Sequence, residues 1–135
     1  ANKIREKLNC DILEIKTVIP YSEDYDTVVN DEQNSEASNR LPEIQDIGID
    51  LSKYDAVIIG SPIWNDRLST PINSVLNSLS LKDKQLTFIL YSGGGKCKKA
   101  IKFINKYYPS SKIVEIKEPK NNKDLALILK NNNII

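Results

Sequence analysis

The chain has 135 residues, a formal net charge of +1 and 40% hydrophobic residues. This size predicts one domain over residues 1–135, and the apolar share excludes a disordered chain. With no His and two Cys, the composition excludes a serine or cysteine nucleophile served by histidine, and it disfavours disulfide scaffolds and most metal sites. No apolar run could cross a bilayer and residues 1–10 are too charged for a signal peptide, so we expect a cytoplasmic protein.

The near-neutral total conceals two oppositely charged halves. Up to Asp66 there are 14 acidic and 6 basic residues, and from Arg67 there are 4 acidic and 13 basic residues, so the halves carry −8 and +9. Two solvated faces that attract weakly through screened charge are sufficient to explain this pattern. A basic docking face for an acidic partner protein is the alternative, and the total charge gives no general attraction to nucleic acid.

The first third of the chain predicts two helices and a strand. Residues 1–8 have helical apolar spacing, and because no residue before Ala1 can cap them, we expect the chain to enter inside a helix. Residues 11–16 (DILEIK) are short and β-branched, which predicts a strand. Ser22 is the expected cap of a surface helix with Tyr25, Val28 and Val29 inward, which fades into a polar loop by residue 40.

From residue 55 the sequence alternates between buried strands and amphipathic helices. The strands are predicted at residues 55–60, 85–91 and 112–117, where apolar runs are nearly unbroken. Helical apolar spacing is found at 72–79, after an expected Thr70 cap, and at 100–108 and 125–129. This alternation predicts an α/β fold, a doubly wound three-layer sandwich with a mostly parallel sheet.

Two loops at the carboxyl ends of predicted strands form the candidate site, because ligand-binding loops of such folds lie there. The first is Gly60–Arg67, which holds the only Trp of the chain. Trp64 on a loop above a strand end is well placed to stack on a flat ligand. A side chain packed over the rim of the sheet is an equally favoured alternative.

The second loop is Ser92–Gly95, directly before a predicted helix. Glycines let backbone N–H groups approach a ligand, although a tight strand-to-helix turn explains them as well. The lysines that follow are typical of the solvated side of a helix. Cys97 lies where a helix start lowers a thiol pKa, but no CxxC partner supports a redox role. No pair of acids has a spacing that indicates catalysis, so no catalytic residue is predicted.

Taken in order, these segments resemble the flavodoxin family, in particular its short bacterial and archaeal members. The resemblance spans almost the whole chain. The motifs that carry it are Pro20–Asp26 (PYSEDYD), Arg40–Ile44 (RLPEI), Tyr54–Trp64 ending in Gly-x-Pro-Ile-Trp, Pro71, and the glycine loop Ser92–Gly95.

The resemblance implies FMN bound non-covalently at the carboxyl ends of the strands. Trp64 would stack on the flavin ring, and backbone groups of the two loops would meet its polar edge. The implied binding residues are Ser61, Pro62, Ile63, Trp64, Asn65, Ser92, Gly93, Gly94 and Gly95. It also implies electron transfer with a redox partner protein, or an NAD(P)H-dependent flavin or quinone reductase. A flavin-free scaffold for protein–protein interaction is the alternative.

Two departures from the family change these expectations. The family begins with a strand and a phosphate-cradling loop that this sequence does not contain, so we expect weak FMN binding. That strand would be central, so we expect the strands of Ile12 and Val57 to close up or to pair with another chain as a homodimer. Asn65 and Asp66 replace an aromatic residue and a glycine, and an Asp near the flavin would disfavour its anionic reduced form.

Overall fold

The structure is a computed structural model that describes residues 1–24, 26–28, 30–31, 40–93 and 95–135. The helices are α1 (Asn2–Leu8), α2 (Thr70–Ser78), α3 (Lys98–Tyr107) and α4 (Asn122–Asn131), with a 3-10 turn at Leu51–Lys53. The strands are β1 (Ala56–Trp64), β2 (Arg67–Leu68), β3 (Gln85–Tyr91) and β4 (Lys112–Ile116). Residues 26–28 and 30–31 are also helical.

The four strands form one sheet in the order β2-β1-β3-β4. β1 and β3 are parallel, in register from Ala56 opposite Gln85 to Pro62 opposite Tyr91. β3 and β4 are also parallel, whereas the short β2 is antiparallel to the end of β1. This sheet confirms the predicted α/β fold with mostly parallel strands.

Helices cover the sheet on both faces. Leu86, Phe88 and Leu90 of β3 belong to a core cluster with side chains of α2 and α3. The intervening Ile89 belongs to a second cluster with Leu129 of α4, against which α1 also packs. Because side chains alternate between the two faces of a strand, these two clusters form the two sides of a three-layer sandwich.

The predicted strand at residues 11–16 is wrong. Residues 11–16 form no strand with any described residue, and nearby pairing is limited to a single bridge between Thr17 and Ile44. The bridge is flanked by hydrogen bonds from Val18 N to the Glu43 carbonyl and from Gln45 N to the Lys16 carbonyl, both 2.8 Å. A β-branched run becomes a strand only beside a paired backbone, and none of the described residues supplies that neighbour here.

The predicted loop Gly60–Arg67 is mostly strand. β1 continues through Trp64, and a two-residue turn of Asn65 and Asp66 leads directly into β2. Both turn residues have positive φ, 49° and 66°, as a type I′ hairpin requires. Asn and Asp tolerate this backbone conformation better than most residues, which explains why the sequence forms a tight hairpin here.

Two helix starts differ from the expected ones. Asp24, not Ser22, caps the helix at residue 26, because its carboxylate accepts hydrogen bonds from Thr27 N at 3.0 Å and Thr27 Oγ1 at 2.6 Å. Ser69 precedes α2, and Thr70 is its first residue. The predicted inward Tyr25 and Val29 lie outside the described residues. Among the helices that are described, none is long and apolar enough to span a membrane.

Candidate functional site

Trp64, the last residue of β1, borders a groove of about 750 Å³. Residues 12–17 line this groove, and so do Gly60 and Pro62 of β1. The segment around Ile12 is therefore separated from β1, so the expected closure of the two strands is wrong, whereas their pairing with another chain stays a prediction. A groove of this volume is large enough for a small-molecule ligand.

The alternation of β1 decides which predicted residues reach the groove. Gly60, Pro62 and Trp64 line it, whereas the intervening Ser61 and Ile63 face the cluster with α2 and α3. A strand sends successive side chains to opposite faces, so one run of predicted site residues divides into two sets. The structure therefore brings the side chains of Pro62 and Trp64 to the groove and turns those of Ser61 and Ile63 inward.

Ser61 is used inside the fold. It is 3% exposed, its hydroxyl donates to the Pro62 carbonyl at 2.8 Å, and it accepts from the backbone N–H of Ser69 at 3.2 Å. These bonds join the end of β1 to the start of α2. A role of Ser61 toward a ligand would thus fall to its backbone, as the resemblance implied.

Trp64 has an aromatic neighbour that sequence reasoning assigned no role. The rings of Tyr21 and Trp64 meet edge to face, with centroids 5.5 Å apart and planes at 83°. Tyr21 also lines the groove, and its hydroxyl is hydrogen-bonded to Thr70 Oγ1 at 3.1 Å. The only sequence signal was the Pro-Tyr pair of the resemblance. Trp64 therefore lies at the end of a strand and not on a loop. Its side chain is half-buried beside the groove and does not pack fully over the rim of the sheet.

The β1–β2 hairpin is joined to the start of α3 through Asp66. The Asp66 carbonyl accepts from Ala100 N at 3.0 Å, and its carboxylate lies 3.4 Å from Lys99 N as a second acceptor. No side chain at Cys97 caps this helix. The negative charge of Asp66 is thus directed at the positive end of α3, while Asn65 is exposed on the turn.

The glycine loop forms the tight turn that its composition predicts. Gly95 N donates to the Ser92 carbonyl at 2.8 Å, and Gly93 has a φ of 55°. A Cβ at Gly95 would lie 3.1 Å from that carbonyl, which is closer than an ordinary contact, so the turn itself favours glycine. Gly94 lies outside the described residues.

One polar atom of this loop is unsatisfied. The Ser92 hydroxyl oxygen is buried without a hydrogen-bond partner in the described part of the chain. Buried polar atoms almost always have a partner, so an orphaned hydroxyl at a strand's carboxyl end is a candidate contact for a bound polar group.

Cys97 is a buried, protonated thiol. It is 4% exposed, and its Sγ donates to the carboxylate of Glu115 at 3.0 Å. Burial, followed by the hydrogen bond to Glu115 and its charge, raises the pKa of Cys97 to about 11. A helix start could lower the pKa of this thiol, but here the pKa is raised, because desolvation outweighs the helix end.

The charged side chains around the site are few. Lys16 is the only cationic side chain among the described residues that line the groove, and its Nζ lies 3.8 Å from the Glu14 carboxylate. The lysines of α3 are exposed, as expected for the solvated side of an amphipathic helix.

Comparisons with known proteins find one family model that matches most of the chain. The family model described as Flavodoxin matches residues 1–127. No curated protein gives a significant match.

Three crystal structures are similar. A proposed flavoprotein from Bacteroides eggerthii has 24% identity and a TM-score of 0.75, with 98% of this chain and 86% of that chain covered. A flavoprotein from Lactobacillus acidophilus in complex with FMN has 25% identity and a TM-score of 0.65, with coverages of 86% and 83%. A proposed flavoprotein from Bacteroides uniformis has 20% identity and a TM-score of 0.68, with coverages of 87% and 81%.

Proposed function

This chain belongs to the flavodoxin family, and from that premise we propose that it binds FMN non-covalently and transfers electrons through it. The observation that carries the proposal is Trp64, half-buried beside a groove of about 750 Å³ at the carboxyl end of a parallel strand. The similar Lactobacillus acidophilus protein was crystallised with FMN, which supports the same ligand here.

The ring of FMN fits the described residues. The indole of Trp64 offers a flat face, and stacking of aromatic rings adds about 1 kcal/mol beyond the burial of their area. Pro62, on the same face of β1 as Trp64, adds apolar surface to the groove. Ser92, whose buried hydroxyl has no partner among the described residues, does not line this groove, so the fit of the ring rests on Trp64 and Pro62.

The described residues of the groove offer few contacts to the phosphate of FMN. Charge-assisted hydrogen bonds to phosphate are the strong contacts of such a ligand, and Lys16 is the one described cationic side chain lining the groove. We therefore propose an affinity of roughly micromolar or weaker, about −8 kcal/mol, in which stacking supplies more than phosphate binding does.

The chemistry is that of the cofactor, because bound flavin accepts and donates electrons without a protein acid or base. The chain's own residues would orient the ring and shape its electrostatic surroundings. A carboxylate near the flavin would disfavour negative charge on the reduced ring. For Asp66 this effect would be weakened, because its carboxylate faces the positive end of α3 at Lys99 N.

A titration of FMN fluorescence tests this proposal. We expect quenching by the wild-type chain and a dissociation constant about fivefold larger for Trp64→Ala, with Trp64→Phe between the two. Tyr107→Ala is the matched control, because Tyr107 is an exposed aromatic residue at the far end of α3. Equal affinity of wild type and Trp64→Ala would contradict the proposed site, and no binding at all would favour the flavin-free scaffold.

An electron carrier and a reductase differ in one assay. With FMN bound, a reductase oxidises NAD(P)H in the presence of a quinone acceptor, whereas a carrier needs a separate reductase. We propose the carrier, since the groove shows no second cationic side chain in the described residues for a nucleotide phosphate. Sustained NAD(P)H oxidation by the purified chain would reverse this assignment.

A further inference from the structure

Tyr21 joins the ring of Trp64 to the first turn of α2. Its ring meets Trp64 at 83° with centroids 5.5 Å apart, which is the edge-to-face arrangement that aromatic pairs prefer. Its hydroxyl is hydrogen-bonded to Thr70 Oγ1 at 3.1 Å, across 49 positions of sequence. One side chain therefore touches Trp64 at its ring and the helix start at its tip.

The anchor of this contact is firmly placed. Thr70 is 5% exposed and lies in the first turn of α2, where its carbonyl accepts from the Ser74 hydroxyl at 3.2 Å. The same hydroxyl lies 2.6 Å from the Pro42 carbonyl, so the two carbonyls share its single proton and the Pro42 bond is the shorter. Pro20 restricts the backbone just before Tyr21. Tyr21 is thus held by its backbone and by its hydroxyl, and its ring in turn restricts the motion of Trp64.

An ordered indole matters for a stacking ligand. A free side chain must give up rotational freedom when a ring binds against it, and this loss subtracts from the affinity. A neighbouring ring that already holds the indole removes most of that loss. The contact between Tyr21 and Trp64 is therefore a means of preparing the stacking surface before any ligand arrives.

We propose that Tyr21 is a positioning residue of the flavin site, which holds the indole of Trp64 through an edge-to-face contact and so fixes the orientation of its plane before a ligand stacks on it. The inference rests on the proposed binding of FMN. It assigns to Tyr21 a role in affinity without contact to the reacting atoms.

The chain has one Trp and six Tyr, so circular dichroism and fluorescence anisotropy report Trp64 alone when they are recorded at the long-wavelength edge, where only tryptophan absorbs. Tyr21→Leu removes the ring, and Tyr21→Phe keeps it without the hydroxyl. We expect Tyr21→Leu to lose most of the tryptophan dichroism without FMN and to weaken FMN binding about fivefold. Tyr21→Phe is expected to weaken it less than about twofold. Tyr107→Leu is the control and should change neither quantity.

The two proposals fail in different ways. Loss of the tryptophan signal in folded Tyr21→Leu, together with weaker FMN binding, supports the positioning role. Loss of the signal in a protein whose wild type binds no FMN shows only that Tyr21 orders Trp64, and it overturns the proposed function and with it the role in a flavin site. An unchanged signal overturns the positioning role whatever the affinity. A changed signal with unchanged FMN affinity overturns its part in binding.

A second variant keeps the proposal testable if Tyr21→Leu does not fold. Thr70→Val keeps the shape of Thr70 and removes the hydroxyl that holds Tyr21. If Tyr21→Leu does not fold, Thr70→Val is expected to reduce the anisotropy and the dichroism of Trp64 partially. Unchanged spectra in Thr70→Val would then overturn the proposal.

Discussion

The chain before Ala56 and the chain after it are packed very differently. Among the described residues before Ala56 only Thr17 is buried, whereas every buried apolar side chain that the structure describes lies at Ile59 or beyond. Both regions contain β-branched and apolar residues. The exposed large apolar side chains of the first region are Leu8, Ile12, Leu13, Val18, Ile19 and Leu41.

The difference lies in the backbone partners. β3 is paired on both sides, by β1 and by β4, and its side chains are covered on both faces. Residues 11–15 make no backbone hydrogen bond to any described residue and border the groove. Apolar residues pack where a paired strand holds them, so the first region belongs to the less stable part of the fold.

The largest expected effect contrasts the two regions directly. Phe88→Ala removes a fully buried ring and is expected to lower the free energy of unfolding by about 3–5 kcal/mol. Ile12→Ala, at a side chain 40% exposed, should lower it by less than about 1 kcal/mol. Urea unfolding followed by circular dichroism measures both. Similar losses would show that the first region is packed as tightly as the sheet.

The next effect is a dependence on pH that belongs to the packed region. Burial raises the pKa of Cys97 to about 11 from an ordinary 9.0, so below pH 9 both folded and unfolded chains keep the proton and the stabilisation is complete. Between pH 9 and 11 only the unfolded chain loses its proton, so stability falls as pH rises. The loss is about 2–3 kcal/mol in all.

The comparison of two cysteine variants isolates this contribution. Cys97→Ala should reduce the decline in unfolding free energy between pH 9 and 11, to which the raised pKa values of Tyr54 and Tyr108 also contribute, while Cys10→Ala should keep it in full. Thiol labelling gives a second reading, in which Cys10 reacts in the folded protein and Cys97 reacts only on unfolding. Rapid labelling of both thiols in the folded chain would refute the buried state of Cys97.

A smaller effect concerns the joint between the hairpin and α3. Asp66→Ala removes the carboxylate that accepts from Lys99 N and places Ala at a φ of 66°, so we expect a loss of about 1 kcal/mol. Asp83→Ala is the matched control, because Asp83 is an exposed acid whose only described ion pair is with its neighbour Lys84. Equal stability of the two variants in urea would show that the contact of Asp66 with the start of α3 does not stabilise the fold.

Sequence patterns predicted the packed region well. β3 was placed at Gln85–Tyr91 without error, because a strand buried on both faces is a continuous apolar run. Residues 11–16 were misassigned, since β-propensity says nothing of whether a partner strand is present. The pattern also missed that β1 extends to Trp64, because Pro62 in a run of strand residues suggests its end.

The site depended on contacts that no local pattern contains. Tyr21 is 49 positions from Thr70, and Asp66 is 33 positions from Lys99. Only the folded chain brings these pairs together. The resemblance located Trp64 and the glycine loop, but it could not show which neighbours hold them.

The smallest effect on stability concerns the open edge of β1. From Ala56 to Pro62 this strand has no described strand on the side away from β3, and an unpaired edge is a template for another chain. We predict weak self-association, detected by sedimentation velocity as a mass that rises with concentration. Ile58→Lys should abolish it while changing the unfolding free energy by less than about 0.5 kcal/mol. A constant monomer mass at all concentrations would contradict this prediction.

The most direct test of the account is a titration of the isotopically labelled chain with FMN, followed by ¹H–¹⁵N correlation spectra. Its single indole N–H resonance belongs to Trp64. We predict that this resonance shifts together with backbone signals of the β1–β2 hairpin, the Ser92–Gly95 loop and Tyr21. An indole signal that does not move while FMN binds, or shifts confined to other parts of the sheet, would contradict the central claim.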